Sequence, residues 1–237
     1  MNTLLTLSRA DLRSTFRDPI FKGLLGFPFV AFAIVRYVWP WLSARFPVVA
    51  PYGEVLLMWA CLQSATMFGM IYGFLFLEEK EDRVWEAIRV LPVTTARLVA
   101  SRLLVGVAVS TLVNWALIHR GGIVDLPAWR EWPLALLFSL SAPLLALLLG
   151  VLAGNRIEGL AQMKIWNLVL IVPALIYFVP HPLAHLTALS PTYWAFRSLE
   201  AAAQATGSWW TFLSIGFLVH ILVIWGLARQ MGRRIQS

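Results

Sequence analysis

Six apolar runs, near 20–42, 54–77, 98–118, 132–154, 165–179 and 208–228, decide what this chain can fold into. A helix needs about 20 predominantly apolar residues to cross a hydrocarbon core roughly 30 Å thick, and five of the runs reach that length. The fifth is shorter. Pro173 lies within it, with Pro180 and Pro182 just beyond, and a proline removes a backbone hydrogen bond and kinks or breaks the helix it enters. Hydrophobic residues make up 59% of the chain and charged residues 13%, where soluble proteins carry about 25% charged residues. A soluble domain of 237 residues has no interior able to hide so much apolar surface. The expected fold class is an all-α polytopic membrane protein with six transmembrane helices in a single domain over 1–237.

The net charge of +7 does not make this a nucleic-acid-binding chain. Its basic residues sit in short connectors between apolar runs, and no basic face with interleaved aromatics occurs. With both termini inside, the inner set is Arg9, Arg13, Arg17, Lys22, Lys80, Arg83, Arg89, Arg97, Arg102, Arg156, Lys164, Arg229, Arg233 and Arg234. The outer set is only Arg36, Arg45, Arg120, Arg130 and Arg197. Cytoplasmic loops concentrate Lys and Arg, so both ends and the tail 229–237 are expected in the cytoplasm. Cys61 is the single cysteine, which excludes an intrachain disulfide and a multi-cysteine metal site. The first apolar run exceeds a signal-peptide core and lacks a small-x-small cleavage site, so an uncleaved membrane protein is expected.

Residues 1–19 read as an interfacial helix. Leu5, Leu12 and Phe16 share one face, and Arg9, Arg13 and Arg17 lie beside it, arranged to meet anionic lipid headgroups. Asp18-Pro19 then turns the chain into the membrane. Arg36 lies 15 residues beyond Phe21, about 22 Å along a helix. At that depth it reaches the outer boundary beside Tyr37, Trp39 and Trp41, where a long side chain snorkels.

Between the second and third runs stands a dense charge cluster, Glu78-Glu79-Lys80-Glu81-Asp82-Arg83-Val84-Trp85-Glu86-Ala87-Ile88-Arg89-Val90-Leu91-Pro92-Val93-Thr94. Its cost inside a bilayer puts it on one membrane face, here the cytoplasmic one, as a loop over 78–95. A helix is expected over 79–90, because acidic residues crowd its first turn. Pro92 stops it, and Thr94 is placed to cap the next helix. Val84, Ile88 and Leu91 would share one side and Glu79, Asp82 and Glu86 another. Such an amphipathic element suits a groove on a partner protein.

This stretch resembles the loop after the second span in ABC transporter permeases of the second type, the drug-, lipid- and polysaccharide-export class. Their pattern runs through charged residues, Gly-Thr, an apolar residue, Glu, two or three apolar residues and Pro-hydrophobic-Ser/Thr. Glu79, Glu81, Glu86, Ala87, Ile88, Pro92 and Thr94 fit it, whereas Arg83-Val84 replaces the usual Gly-Thr. Leu189-Ser190-Pro191-Thr192-Tyr193-Trp194-Ala195 is similar to the Pro-aromatic stretch that leads into short re-entrant outer helices in that family. The resemblance implies an ATPase-coupling element at Glu78, Glu79, Asp82, Arg83, Glu86, Ala87, Ile88, Pro92 and Thr94. It implies export across a prokaryotic inner membrane and a homodimer or a heterodimer with a sister permease. The 237 residues contain no G-x-x-x-x-G-K-[ST], so no phosphate cradle is present and the chain itself carries no cofactor. ATP and Mg would be bound by separate ABC ATPase subunits. Gly69-x-x-x-Gly73 and Gly150-x-x-x-Gly154 have spacing that permits close helix contact.

The polar residues inside apolar runs, Gln63, Ser64, Thr66, Asn114 and Asn167, together with Ser139 and Ser141, are the candidate substrate path. Twelve tryptophans and 14 phenylalanines suit a drug- or lipid-like cargo. The rival reading is an intramembrane CAAX-type metalloprotease. Glu78-Glu79-x-x-x-Arg83 matches E-E-x-x-x-R, and His181 and His185 have metal-binding spacing. Against it, the charge count puts the glutamates and the histidines on opposite membrane faces, and Pro182 separates the histidines.

Overall fold

In the computed structural model, which describes residues 19–84, 95–179 and 182–236, the apolar runs are helical and no strand occurs among the described residues. Six stretches are long and apolar enough to cross a membrane: Phe21–Arg45, Pro47–Glu81, Ala96–Arg120, Ala128–Leu152, Arg156–Tyr177 and Trp209–Arg234. The interfacial helix with Arg9, Arg13 and Arg17 lies outside the described residues, as do Glu86, Ala87, Ile88, Pro92 and Thr94 of the charged loop.

The first span opens at α1 (Pro19–Ala33), with proline at the helix start, where its missing N–H costs nothing. It widens into a π-turn at Ile34–Val38, then continues as α2 (Trp39–Arg45). Pro40 explains the widening, because it cannot donate to the Arg36 carbonyl and its ring crowds that group. Trp39 N–H donates instead to Ile34, five residues back. A 3-10 turn at Pro47–Tyr52 leads into α3 (Gly53–Glu81), 29 residues long and about 43 Å from end to end. The third span is α4 (Thr95–Arg120).

Two expectations from sequence need correction. The helix expected over 79–90 does not begin there. The second span runs unbroken through Glu81 and stops at a turn, Asp82-Arg83, where Arg83 has φ 53°. Arg83 stands where the related loops carry glycine, the residue that takes this left-handed conformation without steric cost.

The fourth span, expected over 132–154, runs over Ala128–Leu152. It consists of α5 (Ala128–Ser139) and α6 (Ser141–Leu152), joined through a single turn residue, Leu140, because Pro143 has no N–H for the Ser139 carbonyl. The fifth span starts nine residues before 165, as α7 (Arg156–Ile171). Its start is set by a reciprocal cap. Asn155 Oδ1 accepts from Glu158 N–H at 2.8 Å, and Glu158 Oε2 accepts from Gly154 N–H at 2.6 Å. Beyond Ile171, at Pro173, the helix tightens into a 3-10 segment, Val172–Tyr177, as the prolines led one to expect.

A further 3-10 segment, Pro182–Leu189, precedes α8 (Pro191–Ala203), and α9 (Trp209–Gln236) closes the fold. Thr192 Oγ1 donates to the Leu170 carbonyl at 2.7 Å. The chain has therefore returned to the level of Leu170 where α8 begins. With 13 residues, α8 is too short to cross by itself.

The long α3 and the α5–α6 pair form the centre, and the other spans bury one side against them. Helices that are apolar all round belong inside. From Leu57 to Leu77 almost every α3 residue is buried, and so is nearly all of α6. Gly69 and Gly73 allow this contact. A Cβ on Gly69 would lie 2.5 Å from the Ala142 carbonyl oxygen, and one on Gly73 would lie 2.7 Å from Leu149. Small residues let helix backbones approach where lipid provides no hydrophobic drive. Gly69→Ala is expected to destabilise by about 1–3 kcal/mol, read as a lower melting temperature in mild detergent. Gly154 lies past the end of α6 and makes no comparable helix contact.

The bundle has two distinct ends. At one, Tyr52 stacks on Phe178 with ring centroids 5.2 Å apart, and the Arg36 guanidinium approaches Gly122 in the connector after α4. The end of α3, the start of α4, the start of α7 and the end of α9 meet at the other.

Candidate functional site

The charged loop joins the bundle through a knot of ionic contacts on the last turn of α3. Glu79 is buried there, although it belongs to a strongly charged run. Arg102, two turns into α4, lies against it, with Nη1 donating to Oε2 and Nη2 to Oε1, both at 2.7 Å. The guanidinium fork matches the two carboxylate oxygens, a geometry that a lysine cannot supply. The pair therefore clamps together the two helices between which the charged loop is strung.

Neighbouring residues tie the same turn to the connector between α6 and α7. Lys80 Nζ donates to the Ala153 carbonyl at 3.0 Å, and Glu81 Oε1 accepts from Arg156 N–H at 2.8 Å. Glu78 faces the Arg156 guanidinium at 3.6 Å. Arg234 of α9 donates to the Val151 carbonyl at the end of α6. Consecutive residues 78–81 thus join the end of α3 to α4, to the α6–α7 connector and to the start of α7. Asp82 and Arg83 follow as an exposed turn.

Sequence reasoning gave Glu78 and Glu79 the same outward role, and missed Arg102 and Arg156 as their partners and the contacts of Lys80 and Glu81 with the α6–α7 connector. A signal for Arg102 was present, since a lone arginine inside an apolar run calls for an acidic partner. The Asn155-x-x-Glu158 spacing was likewise readable as a helix start.

The candidate path residues do not gather into one site. Ser64, Thr66 and Asn114 are fully buried, whereas Gln63 and Asn167 are half-buried. Thr66 Oγ1 donates to the Gln63 carbonyl at 3.1 Å, and Asn167 Nδ2 to the Met163 carbonyl at 3.1 Å. Asn114 Nδ2 donates to Ser139 Oγ at 3.1 Å, and Ser139 Oγ in turn donates to Ala135 O at 2.6 Å. Interhelical hydrogen bonds of this kind average about 0.6 kcal/mol inside a membrane. Asn114→Leu is accordingly expected to shift stability by no more than about 1 kcal/mol, measured by thermal unfolding in detergent.

At the opposite end, Glu131 is buried and accepts from Trp115 Nε1 at 3.1 Å, with His119 Nδ1 at 3.0 Å. Glu200 accepts from Arg197 at 2.6 Å and from Tyr177 at 3.2 Å. His185 pairs with the Tyr193 hydroxyl at 2.9 Å. The metalloprotease reading is not favoured. Glu79 is engaged by Arg102, and His185 lies in the segment between α7 and α8, at the end away from Glu78 and Glu79. His181 is outside the described residues. No group of three or more His, Cys, Asp or Glu gathers among the described residues.

A family model described as "Fluoroquinolones export permease protein Rv2686c-like" matches residues 11–228. The chain belongs to this Rv2686c-like permease family. It is therefore an ABC-type permease, consistent with the loop resemblance and the six spans. Two relatives from Mycobacterium tuberculosis are each 27% identical to the permease over 235 residues, covering 96% of it and 93% of their own length. They are fluoroquinolones export permease protein MT2760 of strain CDC 1551 / Oshkosh and fluoroquinolones export permease protein Rv2686c of strain ATCC 25618 / H37Rv. No solved structure matches the permease. The ionic knot at the end of α3 is thus part of a multi-pass export permease, at the root of its charged loop.

Proposed function

We propose that this permease is the membrane-spanning subunit of an ATP-driven exporter. Its cargo is an amphipathic aromatic small molecule of the fluoroquinolone kind, moved out of the cytoplasm. ATP and Mg belong to separate ABC ATPase subunits, which dock on the charged loop 78–94 at the cytoplasmic face. Two permease chains, identical or a sister pair, make up the complete membrane part, and both termini of each lie in the cytoplasm of a prokaryotic cell.

The observation that carries the reading is the buried Glu79–Arg102 pair at the root of the loop. A partner's force on the loop meets a rigid clamp and moves α3 and α4 as one body, while Glu81 and Lys80 pass it to the α6–α7 connector. Glu79 acts inside this linkage through Arg102, whereas Asp82, Arg83, Glu86, Ala87, Ile88, Pro92 and Thr94 form the part that meets the ATPase. The helix around Arg9, Arg13 and Arg17 braces the loop against the lipid surface. Gln63 and Asn167 are the path residues a cargo can reach, and the enclosed Ser64, Thr66 and Asn114 serve the core.

Inverted membrane vesicles holding the permease and its ATPase test this directly. They should take up a fluorescent fluoroquinolone only with ATP and Mg, and vanadate should stop it. Uptake that ignores ATP and collapses with a protonophore would contradict the proposal.

A further inference from the structure

The last span, α9, has one face that the other described residues leave open. Leu218, Ile221, Leu222 and Trp225 are each more than half exposed, and Arg229 and Arg233 are exposed beyond them. Leu218, Leu222, Trp225, Arg229 and Arg233 follow one another at steps of three or four residues, so they form one stripe along the helix, with Ile221 at its edge.

The stripe is ordered along its length. At the start of α9, Trp209 and Trp210 stand against Trp129, with ring centroids 5.4 and 6.0 Å away, an aromatic belt of the kind that marks a membrane boundary. Arg229 comes 19 residues after Trp210, about 28 Å along a helix, close to the thickness of a hydrocarbon core. Arg229 therefore stands at the opposite boundary, one turn before Arg234 donates to the Val151 carbonyl. Its guanidinium lies over the Trp225 indole, 4.5 Å from the ring centroid. That contact turns the charge toward the apolar part of the stripe.

Charge decides what covers this face. No Asp or Glu occurs in 209–236, and neither Arg229 nor Arg233 forms an ion pair among the described residues. Two guanidinium groups one turn apart call for acidic oxygens, and the residues above them call for an apolar body attached to those oxygens. A second copy of the permease is the wrong occupant. In a two-fold dimer about the membrane normal the stripe would meet itself, arginine against arginine. A phospholipid has both parts in the right order, with acyl chains for the leucines and a phosphate that arginine binds through paired N–H donors. A zwitterionic headgroup would bring an ammonium beside the second arginine, so a headgroup of net negative charge fits better.

We propose that α9 holds an anionic phospholipid, with its phosphate on Arg229 and Arg233 and an acyl chain along Trp225, Leu222 and Leu218. The bound lipid steadies the end of α9 beside the point where Arg234 grips α6. This inference depends on neither the cargo nor the ATPase.

The test is native mass spectrometry of the full chain in mild detergent, incubated with equal amounts of phosphatidylglycerol and phosphatidylcholine of the same acyl chains. The expected result is a preference for phosphatidylglycerol that falls about fivefold with Arg229→Gln and again with Arg233→Gln. Arg97→Gln, at another exposed arginine of the same end, should leave the preference unchanged. Equal retention of the two lipids, or a preference that survives the double variant, overturns the proposal. So does a disulfide between two chains through Leu222→Cys in a Cys61→Ser background, which would put a second copy on the stripe.

Discussion

Arg102→Met is expected to cost the permease about 3–5 kcal/mol of stability, the range for breaking a buried ion pair from one side. The substitution takes two hydrogen bonds of 2.7 Å away from a carboxylate that is itself buried. Glu79→Leu combined with Arg102→Met removes both charges and restores most of that loss, because a well-packed apolar pair is about as stable as a buried ionic one. Export behaves differently. The double variant keeps its fold but gives up the fork that fixes α3 against α4, so transport stays impaired after stability has returned. Thermal unfolding in mild detergent and vesicle export, measured on the same preparations, separate the two effects. Recovery of export in step with stability would mean that the pair serves the fold alone.

Glu86→Arg is expected to abolish export while insertion and abundance stay normal. Glu86 belongs to the acidic edge read from the sequence of the loop, which in the proposed assembly faces the ATPase. Reversing the charge at a partner contact sets like charges together, which costs several kcal/mol and weakens docking without touching the lipid-facing fold. Membrane abundance by quantitative blot and ATP-driven uptake in inverted vesicles read the two quantities. Transport at normal levels in this variant would remove Glu86 from the contact.

The spans were legible because membrane solvation makes length and apolarity sufficient evidence. The inward turn of Glu79 was not, since α3 is apolar all round and its sequence does not say which side of the last turn faces in. Charges hid the start of α7. Arg156, Glu158 and Lys164 lower the hydropathy of a stretch that the Asn155 cap nonetheless begins as helix. The turn at Leu140 has its signal in Pro143. The family resemblance of the loop was readable residue by residue. Its departure at Arg83 became intelligible only with the backbone, where arginine takes a conformation suited to glycine.

The most direct measurement is purification of the tagged permease in mild detergent, with mass spectrometry of what accompanies it and an ATPase assay on the product. The proposed mechanism predicts a stoichiometric partner carrying a G-x-x-x-x-G-K-[ST] motif, vanadate-sensitive hydrolysis, and loss of both with Glu86→Arg. A permease that exports its cargo while purifying alone, with no ATPase recovered even after cross-linking in the membrane, would contradict it.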